Sequence, residues 1–533
     1  MANRQTSSAT GETRSVWSNT AQPEYLPLDT DAHADVCVIG AGIAGLSTAY
    51  TLAAQGCNVL VLDAASVGAG ETGRTTAHLS NALDDRYSVL ERVHGAGYAR
   101  LAAQSHSAAI DRIESFVNER GIDCGFRRID GYLFRGRNAS ANVLERELAA
   151  AWRAGLDDVV FTDRSPLPGF DVGSALRFPR QAQFHPLKYL AGVAKALTSA
   201  GGRIATHTRV RSLQDGAPCR VFTDKGHVVS ADSIVVATNS PISDRFSIHT
   251  KQAAYRTYAV ALAIERDSVP GGLYWDCEDP YHYVRTYTHA DGRSSLIVGG
   301  EDHKTGQADD ATLRFARLEA WTRERFPASG AVEYRWSGQV IEPTDHLAYI
   351  GRDPAATHIY VVTGDSGHGM THGTIASMLI PDLISRRRNA WEPVYAPDRK
   401  PTRALGTYVK ENLNVARQFG DYVRGGNVES AAEIEPGRGA LLRSGTKLMA
   451  VYRDEQGRLH SRSAVCTHVG CIVHWNATEQ SWDCPCHGSR FDVDGEVING
   501  PARAALAPAT VLEDRPPADT VGKPEGRGGS LRR

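Results

Sequence analysis

Four residues near the C-terminal end have the types and spacing to hold a redox metal. Cys466 and His468 lie in the run Cys466-Thr467-His468-Val469-Gly470-Cys471, and Cys484 and His487 lie in Cys484-Pro485-Cys486-His487-Gly488-Ser489. Two thiolates on one iron and two neutral imidazoles on the other make a mixed-ligand [2Fe-2S] centre, whose potential lies far above that of an all-Cys ferredoxin. A Cys-x-His loop and a Cys-x-x-His loop suffice for that set. A zinc knuckle draws on the same residue types, and unliganded core cysteines are a third reading. The iron reading commits the chain to one-electron transfer. Cys471 and Cys486 stand at matching loop positions outside the ligand set.

A second constellation lies near the start. Residues 34–39 (Ala-Asp-Val-Cys-Val-Ile) form a short buried-strand pattern, followed by Gly40-Ala41-Gly42-Ile43-Ala44-Gly45 and a helical run ending near Gly56. A second strand at 58–62 then ends at Asp63. In this strand–helix–strand context the glycines serve a tight turn, pyrophosphate approach and helix packing. The helix N-terminus faces phosphate, and the acid takes ribose hydroxyls. A purely structural glycine turn is the alternative, and the motif does not separate FAD from NAD.

Further segments bear on that choice. They are Gly68-Ala69-Gly70-Glu71-Thr72-Gly73-Arg74-Thr75-Thr76-Ala77-His78, Ala237-Thr238-Asn239, residues 342–351 (Glu-Pro-Thr-Asp-His-Leu-Ala-Tyr-Ile-Gly), and Thr363-Gly364-Asp365-Ser366-Gly367-His368-Gly369-Met370. In order and spacing, residues 35–384 resemble the FAD-dependent D-amino acid oxidase and glycine oxidase superfamily. The resemblance implies FAD, held by Gly40, Gly42, Ile43, Ala44, Gly45, Asp63, Gly73, Arg74, Thr75, Thr76, Val210, Ala237, Thr238, Gly364, Gly367, His368, Gly369, Met370 and Thr371. It also implies an α/β Rossmann-like FAD-binding domain with an antiparallel-sheet substrate domain, interleaved over 33–391. Relatives that take α-amino acids often hold the carboxylate with an Arg and a Lys, whose counterparts here are Ala77 and Thr371. That departure points to a larger amine or a differently held acid. His78 could attach FAD covalently, although a non-covalent loop histidine is the preferred reading.

The middle of the chain reads as strands: Tyr255-Arg256-Thr257-Tyr258, Tyr281-His282-Tyr283-Val284-Arg285 and Gly299-Gly300-Glu301-Asp302-His303, with alternation through 258–264. Tyr255, His282 and Arg285 are the pocket candidates over the flavin. For each, a half-buried strand position is the plainer reading.

Residues 427–514 read as a small all-β unit of short strands. It resembles the Rieske proteins of respiratory and photosynthetic cytochrome complexes more than those of ring-hydroxylating oxygenases. The resemblance implies a Cys471–Cys486 disulfide, a proline loop at Gly500-Pro501-Ala502, and a Ser489 hydroxyl donated to a cluster sulfur. Where such relatives often carry a second donor, Tyr, this chain has Phe491. Hydrogen bonds to sulfur favour the reduced cluster, so Phe491 implies a lower potential.

Length and composition set the remaining bounds. The chain has 533 residues, 41% apolar, with 59 Lys and Arg against 61 Asp and Glu and a formal charge of -2. That balance argues against nucleic acid as a partner, and no apolar run approaches membrane-spanning length. Residues 1–32 read as a polar N-terminal extension, 392–426 as a linker with a helix near 406–422, and 515–533 as a disordered tail. The scattered cysteines, 37, 57, 124, 219 and 277, suit reduced thiols and a cytoplasmic location. The expectation is a flavin dehydrogenase acting on an amine or amino-acid-like molecule. Its cluster would pass single electrons to an external ferredoxin, cytochrome or quinone system. No catalytic acid or base is assigned, since an amine bound neutral needs none. Three rivals are an oxidase using O2 directly, a reductase running in reverse, and an oxygenase with mononuclear iron at Asp365, His368 and His372.

Overall fold

The computed structural model describes residues 11–511 apart from 137–138, 164–165, 168–172, 244–246, 401 and 424. The tail expected at 515–533 lies outside the described residues.

Continuous apolar runs place two strands at the centre of the first sheet. Ala32–Ile39 and Val59–Leu62 are buried on both faces over most of their length, as parallel strands under helices must be. Ala32–Ile39 pairs in parallel with Val59–Leu62 on one side and Val228–Val236 on the other, and Ile359–Thr363 extends the sheet beyond Val228–Val236. The helices Ile43–Ala54 and Gly369–Ile384 pack on each other over this sheet. Gly373 permits their closeness, because a Cβ there would lie 2.9 Å from Ile43 Cγ2 and 3.1 Å from the Ala44 nitrogen.

A nine-stranded sheet forms the second layer, with the long antiparallel trio Gln252–Ile264, Ser294–Lys304 and Val332–Pro343 at one side and Arg127–Phe134 and Ala175–Gln183 at the other. A register shift between Arg256 and Tyr258 interrupts the Gln252–Ile264 ladder beside the site.

The linker helix runs Leu405–Gln418 and continues as a 3-10 turn through Phe419–Tyr422. It bridges the two halves. Asn412 donates to the Thr250 carbonyl at 2.9 Å, Lys304 pairs with Glu411, and Tyr422 O–H donates to the Gly470 carbonyl at 2.5 Å. Beyond it lie a three-stranded sheet (Arg438–Ser444, Lys447–Arg453, Leu459–Ser463) and a four-stranded one; the first cluster loop links the two sheets, and the second joins Ser481–Asp483 to Arg490–Phe491 within the four-stranded one. Residues 11–31 strap the flavin half. Trp17 is fully buried and donates to the Thr75 carbonyl at 2.6 Å, and the Leu28 N–H donates to Thr208 Oγ1 at 2.9 Å.

Candidate functional site

A cavity of about 340 Å3 runs from Asp63, Arg209 and Val210, past the N-terminus of the Ile43–Ala54 helix, to His78, Tyr283 and Trp275. The Gly-rich turn forms its floor. Gly40 has φ +112°, and a Cβ there would lie 2.3 Å from the Ala237 carbonyl oxygen; one on Gly45 would lie 1.8 Å from the Gly40 oxygen. Only glycine lets strand, turn and helix close this tightly. Asp63 Oδ2 accepts from the Ala41 N–H at 2.6 Å and Oδ1 from the Ala65 N–H at 2.7 Å, while burial pushes its pKa up. The acid therefore clamps the turn whose helix N-terminus faces the cavity. An elongated cavity over a helix N-terminus with an acid at one end fits a dinucleotide.

Of the residues expected at FAD, Gly40, Gly42, Ile43, Ala44, Asp63, Arg74, Thr75, Thr76, Val210, Ala237, Thr238, Gly367, His368, Gly369 and Met370 line this cavity. Gly45, Gly73, Gly364 and Thr371 stand behind the lining. Thr371 Oγ1 instead meets His106 Nδ1 at 2.8 Å.

The three pocket candidates are displaced from the cavity wall. His282 points to the opposite face of its strand, where Nδ1 meets Asp276 Oδ2 at 3.1 Å and the ring stacks on Trp321 at 4.6 Å. Arg285 reaches beneath the flavin loop and donates to the carbonyls of Thr76 at 3.0 Å and Ala77 at 2.7 Å. Tyr255 lies under Lys304, whose Nζ is 5.8 Å from the ring centroid. In their place stand Tyr281, Tyr283, Thr257, Trp275, His78 and Asp84. The alternation at 281–283 was visible in the chain, but its parity depends on neighbouring strands and on the register shift. The iron reading at Asp365, His368 and His372 also fails on geometry. His372 Nδ1 lies 2.9 Å from the Asp365 carbonyl and Nε2 lies 3.2 Å from His106 Nε2, while His368 Nε2 accepts the Asp84 N–H at 2.9 Å.

At the other centre the Cys466 and Cys484 thiols hydrogen-bond each other, and the His468 and His487 rings lie 5.0 Å apart. Backbone N–H groups of His468 and Val469 meet the Cys466 sulfur, and those of Cys486 and His487 meet the Cys484 sulfur. His487 Nδ1 is buried without a hydrogen-bond partner, and burial pulls that imidazole down to about 3, keeping it neutral. Facing thiols, backbone donors around sulfur and a buried neutral imidazole fit a [2Fe-2S] cluster. Cys471 and Cys486 form a disulfide. Ser489 Oγ accepts from the Ala502 N–H at 3.0 Å and also bonds the Cys466 thiol; Phe491 is fully buried.

The two centres share a wall. Val497, Ile498, Asn499, Gly500, Ala502 and Arg503 line the flavin cavity from the cluster side. Gln339 donates to the Gly488 carbonyl at 3.0 Å, next to His487, and Asn499 donates to Glu71 Oε1 at 3.1 Å. His249, from the flavin half, sets its ring 5.1 Å from His468 and 5.9 Å from His487. Glu479 inserts a fully buried carboxylate between Arg74 and Arg256, at 3.1 Å from each. No sequence signal pointed to these contacts.

The sequence matches the family of FAD dependent oxidoreductases over residues 35–383 and the Rieske [2Fe-2S] domain over 427–510. It is 31% identical over 494 residues to the Bacillus subtilis protein YhfW, named as a Rieske 2Fe-2S iron-sulfur protein, covering 91% of this chain and 95% of that one. It is 28% identical over 378 residues to the gamma-glutamylputrescine oxidoreductase of Escherichia coli, covering 68% of this chain and 86% of the relative. The glycine oxidase structure from Geobacillus kaustophilus superposes with a TM-score of 0.58 at 18% identity, over 69% of this chain and 99% of that one.

Proposed function

Because the chain belongs to the family of FAD dependent oxidoreductases and carries a Rieske [2Fe-2S] domain near its C-terminal end, we propose that it oxidises a C–N bond of a small amine or amino-acid-like molecule and passes the electrons through the cluster to an external one-electron acceptor. Bound FAD supplies a two-electron hydride acceptor and the cluster a one-electron relay. On the substrate, the carbon loses hydride and the nitrogen loses a proton, leaving an imine that water hydrolyses. The chain's own part is to hold the amine as free base with its C–H toward the flavin loop and to keep the two centres at fixed separation. Two relatives named for an amine and an amino acid support the C–N reading.

The observation that carries the relay is the shared wall. Residues of the proline loop line the flavin cavity, and His249 bridges from that half to both ligand imidazoles. A ferredoxin, a cytochrome or a quinone system would serve as the acceptor. Anaerobic stopped-flow with candidate amines tests this. Cluster bleaching that follows flavin bleaching supports the relay, whereas aerobic peroxide production at an equal rate in the Cys484→Ser variant refutes it.

A further inference from the structure

We propose that the substrate end of the flavin cavity is a subsite for an organic cation lacking a carboxylate, such as an alkyl amine, a diamine or an N-methylated amine, held by Asp84 among the rings of Tyr281, Tyr283 and Trp275. The assignment deepens, and rests on, the C–N oxidation reading above.

Asp84 lines the cavity with its side chain 29% exposed. Its Oδ2 accepts from Tyr281 O–H at 3.3 Å. His368 Nε2 lies 3.4 Å from Oδ1 but accepts the Asp84 backbone N–H at 2.9 Å. Burial opposes a charge on His368, but Asp84, Asp85 and Asp365 together push its pKa up, so this one imidazole is shared among three carboxylates, of which Asp84 and Asp365 line the cavity. The Asp84 carboxylate therefore faces the cavity between a phenol and an imidazole, and the carboxylates at this end outnumber that imidazole.

The surrounding wall is aromatic. The Tyr281 and Tyr283 rings lie 5.4 Å apart at 36°, and His78 meets Tyr283 edge-on at 5.6 Å. Burial pulls His78 down to about 3, so it adds no positive charge. Aromatic rings lining a cavity beside a carboxylate suit a desolvated ammonium, which the ring quadrupole and the carboxylate both attract.

Among the described residues that line the cavity, no guanidinium or ammonium at this end is placed to answer a carboxylate. Of the guanidinium side chains that line the cavity, Arg74 is engaged by Glu479, the Ser337 carbonyl and the Thr13 carbonyl. Arg209 sits by Asp63 and Arg211, and the Arg503 carbonyl accepts from Arg211, at the far end. Ala77 is fully buried, and Thr371 is bonded to His106. An amino acid would bring its carboxylate toward Asp84 and Asp365, with only the imidazole those acids already share to meet it. A diamine suits both demands, with one nitrogen protonated against Asp84 and the other a free base beside the reacting C–H.

The test is anaerobic titration of the FAD- and cluster-loaded protein, read by calorimetry and by the flavin difference spectrum. The probes are tetramethylammonium, butane-1,4-diamine and 4-aminobutyrate. Both cations are expected to bind more than about ten-fold tighter than 4-aminobutyrate, and Asp84→Asn to remove about ten-fold of the cation affinity without weakening 4-aminobutyrate. Tyr283→Leu is expected to weaken tetramethylammonium by about five-fold, an independent check should Asp84→Asn lose FAD. Equal or tighter binding of 4-aminobutyrate, or unchanged cation affinity in both variants, overturns the subsite. Flavin reduction by amino acids but not by amines overturns it too, while leaving C–N oxidation standing. Tight cation binding with no flavin reduction by either class supports the subsite and removes the oxidation reading instead.

Discussion

Glu479→Gln is expected to loosen the cluster domain from the flavin half by about 3 kcal/mol. The carboxylate is fully buried, with Arg74 and Arg256 each at 3.1 Å, Thr13 Oγ1 donating at 2.5 Å and Ser337 Oγ also bonded to it. Burial opposes its charge, but the three guanidinium groups of Arg74, Arg256 and Arg490 prevail and pull its pKa from the usual 4.5 down to about 2. At about 1.36 kcal/mol per pH unit that fall is worth about 3 kcal/mol. Removing one partner of a buried ion pair costs about 3–5 kcal/mol, so the two routes agree. Burial and the Arg490 charge already pull Arg256 down, and Glu479 is its first counter-charge. Because the folded-state pKa is depressed, the contribution is complete above about pH 4.5 and lost as pH falls through about 2. The assay is urea unfolding at pH 7, followed by the visible circular dichroism of the cluster and by flavin fluorescence. The variant should lower the cluster transition by about 3 kcal/mol, about two orders of magnitude in the docking equilibrium, and wild type should approach the variant on acidification. A pH 7 transition within about 0.5 kcal/mol of wild type would show the network to be worth no more than an exposed ion pair.

Other perturbations probe the two centres separately. Phe491→Tyr adds a donor to a fully buried position beside the cluster loops; redox titration should show a rise of about 59 mV for each 1.4 kcal/mol by which the new bond favours the reduced form, and no rise would sink the hydrogen-bond account. Gly40→Ala sets a Cβ 2.3 Å from the Ala237 carbonyl at a φ of +112°, so the variant should purify without FAD while its cluster absorbance persists; a fully flavinylated variant would contradict this. Cys471 and Cys486, 15 residues apart, close the two cluster loops, and replacing both with Ser should cost about 3 kcal/mol by loop entropy and speed cluster loss under denaturant, measured by bleaching.

Much of this architecture could be read from short stretches of chain. The cluster donors fall within two hexapeptides, and the glycine turn, its strands and Asp63 fall within 34–63. Such motifs are legible because their geometry is local: a few bonds of backbone fix where each donor points. The linker helix was likewise expected near 406–422 and lies at Leu405–Gln418 with a 3-10 extension. Pocket residues were harder. Tyr255, His282 and Arg285 have suitable chemistry, yet Tyr281, Tyr283 and Asp84 face the cavity. Strand parity is set by the partner strands and by the shift at Arg256, and nothing within five residues of His282 encodes it.

The amino-acid order was enough to name the donors that would hold the cluster, because that choice rests on residue type at short spacing, whereas FAD rather than NAD came only from the resemblance of segments spread over 35–384 to a known family. How the centres face each other required the folded chain. Glu479 meets Arg74 across 405 positions, His249 meets His468, and the 497–503 segment closes a cavity begun at residue 39. Those contacts arise where two separately folded surfaces bury each other, and burial at a distance leaves no periodic signature along the chain.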